Sequence, residues 1–209
     1  MHAVLVTSDF SIVALGQACE APLAGFLSLL LATAAVHKVL RPQRARRAVA
    51  ELTGLGWSGA GFALGAAAAA EALAAVGLEW TSLRCQAALL AACIWAAYGV
   101  SVASALLRGR RDVDCGCGFG ATHRPLGGFH LLRNALLVAI ALGVSLLAAI
   151  SRAGGAVEGG LLDAAIPDAT VSAAVRIATA ALAALALLAI YGALDHVMAL
   201  GELRRGGVR

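Results

Sequence analysis

Five stretches of this 209-residue chain contain no Asp, Glu, Lys or Arg: residues 21–37, 52–70, 85–107, 134–151 and 177–194. As a helix, each has about the length needed to cross ~30 Å of hydrocarbon. They are rich in Ala, Leu, Val and Gly, and separate runs of this kind can satisfy their backbone in lipid only as helices. The short strands of a membrane barrel would alternate polar with apolar residues, and these do not. Composition agrees: 61% of residues are hydrophobic and 13% charged, against about 45–50% and about 25% in soluble domains. The expectation is an all-α, polytopic membrane helix bundle of four to five spans, whose first partner is the lipid bilayer. Disorder, a secreted disulfide scaffold, a coiled coil and a nucleic-acid-binding domain are disfavoured.

The net charge of +4 therefore reads as topology. Thirteen of the 16 Lys and Arg fall on alternate sides of a five-span path, in the clusters Lys38–Arg47, Arg108–Arg133 and Arg204–Arg209. By the positive-inside rule those sides are the cytoplasm. The expected protein is a multi-pass protein of the cell (inner) membrane, with its N-terminus outside and its C-terminus inside. Residues 1–20 read as an extracytoplasmic or interfacial segment, 21–150 as a four-helix domain, and 151–209 as an outer loop, a fifth span and a basic tail. The N-terminal segment has no basic region before its apolar part, so no cleaved signal is expected. Leu15 to Cys19 is a poor lipoprotein box because Gln17 fits it badly. Gly61 and Gly65 form a small-xxx-small pair, read as close helix packing.

The loop between the third and fourth spans carries the most specific chemistry, Asp112-Val113-Asp114-Cys115-Gly116-Cys117-Gly118-Phe119-Gly120. Two thiols in a glycine setting can exchange electrons or hold a soft metal. Spaced i,i+2, their α-carbons lie at most about 7 Å apart, near the upper limit for a disulfide, so the chain must bend at Gly116 to close one. A strained, exposed disulfide is a labile one. Arg108, Arg110, Arg111, His123 and Arg124 favour thiolate, while Asp112 and Asp114 oppose it. For a metal, Asp112, Asp114 and His123 would complete the ligand set for Cu(I), Zn or a mercury-like ion. Cys19 and Cys85 fall together at the outer face and form a candidate second thiol pair. Cys93 lies within the third span and reads as a small hydrophobe.

The Cys115-Gly116-Cys117 loop with Phe119 and Gly120 resembles the signature of the MauE/DoxX-like redox-associated membrane proteins. His37-Lys38, Glu71 and Arg133-Asn134 support the resemblance, which covers roughly residues 22–150. Gly118 is an extra residue relative to that signature, and the fifth span lies beyond the matched part. The resemblance implies Cys115 and Cys117 as the working thiols, with a thioredoxin-like partner or a maturing enzyme subunit, in forming or protecting disulfides during maturation of methylamine dehydrogenase.

Among the remaining polar residues, Glu71 sits within the second span after an alanine run, and a charge there is a functional signal. It can pair with another helix, bind a proton, or line a pocket for a quinone, the one cofactor this reading admits. Lys38 is expected to snorkel to the inner headgroups. Asp195 and His196 end the fifth span, and His130 and Arg133 open the fourth near the cysteine loop. Trp57, Trp80 and Tyr98 read as interfacial anchors or packing residues. Two other classes stay open: a soft-metal carrier, and a non-catalytic membrane anchor of a larger enzyme. No phosphate loop, Gly-x-Ser-x-Gly or metalloprotease helix is present.

Overall fold

A computed structural model describes residues 3–110, 127–158, 178 and 180–193, with side chains from residue 19 onward and, in the helix that starts at 128, to residue 153. Among the described residues there are six helices and no strand: α1 (Ala3–Leu40), α2 (Pro42–Thr53), α3 (Trp57–Glu79), α4 (Arg84–Leu107), α5 (Gly128–Glu158) and α6 (Ala180–Ala193). Four contain stretches long and apolar enough to cross a membrane: Cys19–Leu40, Trp57–Glu79, Arg84–Leu107 and Gly128–Ala153. Their 22 to 26 residues reach about 33–39 Å at ~1.5 Å per residue. Of the fifth expected span, 177–194, the described residues include the apolar helix α6.

Between 33% and 39% of each crossing stretch is buried inside the bundle. The rest, including Phe62, Leu73, Leu107 and Leu132, points outward, as lipid-facing helices require.

Neighbouring helices run antiparallel. Lys38 of α1 meets Glu71 of α3 while Ser28 meets Ala75; Tyr98 of α4 meets Glu71 while Ala87 meets Gly77. Asn134 of α5 lies beside Gly99 and Ser145 beside Cys85. One face therefore gathers the ends of α1 and α4 with the starts of α3 and α5, and is called the loop face because residues 111–126 join α4 to α5 there.

Small residues let the helices close on one another. Ala74, Ala88, Ala91 and Ala141 are fully buried beside Leu27, Leu78 and Val144, so contact is made by backbone-near atoms rather than by long side chains. At Gly77 a β-carbon would come within 2.8 Å of the Ala87 β-carbon, and at Gly25 within 3.2 Å of that of Ala184. These are the close helix contacts. The Gly61–Gly65 pair is not one: Gly61 lies under the Arg46 side chain and Gly65 has nothing within 4 Å among the described residues.

The second span also differs from its expected bounds of 52–70. Residues 42–53 form the separate helix α2, and the crossing helix begins at Trp57 and continues through Glu71 to Glu79. Pro42 occupies the first turn of α2, where its missing N–H costs nothing. Gly54 ends it at φ +79°, donating its N–H to the Ala50 carbonyl; that left-handed conformation is one glycine adopts without strain. Ala45, Ala48 and Leu52 are buried along one side of α2, where Leu52 packs with Val102 and Ala105 of α4. The arginines take the remaining surface. A helix with charges on most of its circumference lies along the bundle rather than through the membrane.

Candidate functional site

Cys115, Gly116, Cys117, Phe119, Gly120, Arg111, Asp114 and His123 lie outside the described residues, as do Asp112 and Arg124. The structure does describe how their loop is rooted. Helix α4 ends in a Schellman turn, with Gly109 at φ +73° donating to the Leu106 carbonyl and Arg110 N–H to the Ala105 carbonyl, both at 3.0 Å. The side chains of Arg108 and Arg110 reach α2. The Arg108 guanidinium donates to the Leu52 carbonyl, and Arg110 Nη1 donates to the Glu51 carbonyl at 2.9 Å. Both acceptors belong to the last turn of α2, whose carbonyls have no partner within the helix and carry its negative dipole end. Arg108 and Arg110 thus act as a clamp between two helix ends. Both guanidiniums donate to backbone carbonyls, while the thiols they are expected to favour lie outside the described residues.

At the far root, Gly127 N–H donates to His130 Nδ1 at 3.4 Å, and Asn134 Nδ2 donates to the His130 carbonyl at 2.9 Å. Both His130 and Asn134 are buried. Arg133 lies over the Tyr191 ring of α6 at 5.9 Å, and Tyr191 meets Phe26 of α1 edge-on. The start of α5 is therefore tied into the bundle.

A second polar group sits deeper on the same side. Lys38 Nζ donates to both oxygens of Glu71, at 2.7 and 2.8 Å, and Tyr98 Oη donates to Glu71 Oε1 at 2.6 Å. Glu71 is fully buried. The ammonium also lies 5.4 Å from the Tyr98 ring centre. Helical side chains lean toward their own N-terminus; since α1 and α3 are antiparallel, Lys38 reaches inward while Glu71 reaches back to meet it. This corrects two expectations. Lys38 ends on a carboxylate rather than among headgroups, and Tyr98 is a partner of Glu71 rather than an interfacial anchor. Trp57 and Trp80 remain exposed near helix ends.

On the opposite face, Arg84 Nη1 pairs with Glu20 Oε1 at 2.9 Å, and Ser151 Oγ donates to Glu20 Oε2 at 2.9 Å. This joins α1, α4 and α5. Cys19 and Cys85 neighbour that pair in sequence, yet both thiols are free. Cys85 Sγ lies 3.3 Å from Ser145 Oγ on α5, whereas Cys19 is exposed. With ~100° between successive helical residues, the side chains that face each other across α1 and α4 are Glu20 and Arg84, and the sulfurs turn elsewhere. The expected Cys19–Cys85 pair is thus not brought together. Among the described residues, no three His, Cys, Asp or Glu side chains converge as a metal-ligand set.

The profile of the family Methylamine utilisation protein MauE matches residues 12–148. Methylamine utilization protein MauE of Paracoccus denitrificans is 39% identical over 75 residues, 36% of this chain and 40% of that protein. The Paracoccus versutus protein of the same name is 36% identical over 61 residues, 29% of this chain and 33% of that protein. The aligned stretch thus spans less than half the length of these curated relatives. No solved structure matches the chain.

Proposed function

Since the chain belongs to the MauE family of membrane proteins of methylamine utilisation, we propose that it is a thiol–disulfide redox protein that supports disulfide formation or maturation of a partner protein, with Cys115 and Cys117 as its working pair. The partner is a thioredoxin-like protein or a maturing enzyme subunit, methylamine dehydrogenase in the family setting. A partner thiolate attacks one sulfur of the Cys115–Cys117 disulfide, forming a mixed disulfide as the other loop sulfur leaves as thiolate. The partner's second thiolate then breaks the mixed disulfide. The partner becomes the disulfide, the loop takes two electrons and, with two protons, becomes the dithiol. Relative potentials set the direction, and the reverse exchange uses the same bonds.

The observation that carries this reading is the clamp at the loop root. Cys115 is the fifth residue after Arg110, at most about 18 Å away at full extension, less than the ~30 Å hydrocarbon core. With Arg110 fixed on the Glu51 carbonyl, a partner would meet these thiols on the face that carries α2. The arginines of α2 and of the α4 end give that face the basic character of the cytoplasmic side of a cell membrane.

Cys117→Ser tests the reading through the reverse exchange, in which the Cys115 thiolate opens a partner disulfide and the resulting mixed disulfide has no second loop thiol to release it. Acid-quenched membranes should yield a reductant-sensitive adduct between the full-length variant and a thioredoxin-like protein or enzyme subunit. Absence of any adduct from both Cys117→Ser and Cys115→Ser would overturn it.

A further inference from the structure

Four arginines lie within Arg41–Arg47, and because α2 turns Ala45, Ala48 and Leu52 into the bundle, its charge is displayed outward. Arg41 and Arg47 are exposed, and neither forms an ion pair among the described residues. Arg46 is fixed more closely. Its Nε donates to the Trp57 carbonyl at 2.7 Å, its guanidinium stacks 4.2 Å from the Trp57 ring centre, and it lies across Gly61, where a β-carbon would come within 3.0 Å of Cζ. Gly61 thus makes room for a guanidinium held flat against the start of a membrane helix.

Next to this charge the surface is apolar. Leu55 is 44% exposed, Trp57 49% and Phe62 82%. Phe62 is five residues beyond Trp57, about 7.5 Å further along α3 and ~140° around it, so the start of α3 is apolar on both of these sides.

We propose that α2 and the first turn of α3 seat an anionic phospholipid of the loop-face leaflet, its phosphodiester on Arg41, Arg46 and Arg47 and an acyl chain against Leu55 and Trp57. An acidic soluble protein could match the charge but could not follow α3 below the headgroups. A phospholipid has both parts in the required order. The stacked guanidinium is preorganised for a phosphate oxygen, as its planar fork favours, and basic residues at a membrane surface draw anionic lipids. The inference is independent of the thiol chemistry proposed above.

Native mass spectrometry of the full chain released from nanodiscs of phosphatidylcholine and phosphatidylglycerol tests it. Wild-type protein should retain phosphatidylglycerol preferentially, and Arg47→Gln should lower that preference about fivefold, the order expected for one surface arginine. Arg41→Gln combined with Arg47→Gln should lower it further while thermal unfolding in phosphatidylcholine alone stays unchanged. Should that variant misfold, salt titration of the wild type decides instead: the preference should fall as salt screens the charges. Inorganic phosphate at the same concentration should not displace the lipid. Equal retention of the two lipids, a preference indifferent to salt, displacement by inorganic phosphate, or polyglutamate binding as tight as that of phosphatidylglycerol would each overturn the proposal.

Discussion

Replacing Lys38 by Met should be among the most costly single changes in the bundle, and more costly than replacing Glu71 by Gln. Glu71 is fully buried and receives two bonds from Lys38 and one from Tyr98. Without Lys38 its carboxylate keeps the Tyr98 hydroxyl alone. Removing one partner of a buried pair typically costs about 3–5 kcal/mol, and Lys38→Met should fall in that range. Glu71→Gln differs because Lys38 stands two residues from the end of α1. Its freed ammonium can swing toward the headgroups, so the loss is closer to that of a charged hydrogen bond, about 1.5–3 kcal/mol. Lys38→Met with Glu71→Leu removes both charges and should return to within about 1 kcal/mol of wild type, as apolar replacements of buried pairs do. Reversible unfolding of the full chain in mixed micelles measures all three, and with Glu71→Leu alone it closes a double-mutant cycle for Lys38→Met and Glu71→Leu. Additive costs, or a Glu71→Gln penalty larger than that of Lys38→Met, would refute the idea that this pair is a buried, mutually dependent staple.

Other predictions concern the remaining contacts. Gly77→Ala places a β-carbon against Ala87 and should destabilise by about 1–3 kcal/mol, the usual range for overpacking; Ala87→Gly in the same chain should recover most of it in the same unfolding assay. Arg108→Ala with Arg110→Ala leaves the Leu52 and Glu51 carbonyls without their donors and should loosen the last turn of α2 by about 1 kcal/mol per lost bond. Hydrogen exchange at residues 50–54 should rise while α3 is unchanged. Arg84→Met strands the buried Glu20 carboxylate on Ser151 and should lower the unfolding midpoint more than Arg152→Met, whose side chain meets only backbone carbonyls among the described residues.

The crossing helices could be read from sequence because lipid excludes unpaired charge, so charge-free runs mark them. The same rule misplaced the second span. Scanning for charge-free residues stops at Glu71, yet the helix passes through it because Lys38 neutralises the carboxylate from 33 residues away in sequence. Only tertiary proximity reveals such a pair, and Tyr98 was hidden for the same reason: a tyrosine near a span end has the same local signature as an anchor or a carboxylate donor. Helix α2 was obscured because Leu52 and Thr53 are charge-free and joined the following run, although Pro42 and Gly54 are ordinary start and stop signals. The Glu20–Arg84 pair had a usable signal, opposite charges at two span ends on one expected side. The clamp did not, since guanidiniums bound to backbone carbonyls leave no trace in side-chain pairing. The cysteine loop remains a reading of motif and chain length.

The central claim, a thiol pair that gains and loses electrons, is met most directly by differential alkylation of the full-length protein in native membranes, with peptides spanning Cys115 and Cys117 weighed before and after mild reductant and reoxidation. The account predicts that both thiols change label together and reversibly, while Cys93 does not change. A loop pair with the same label in every condition would contradict it.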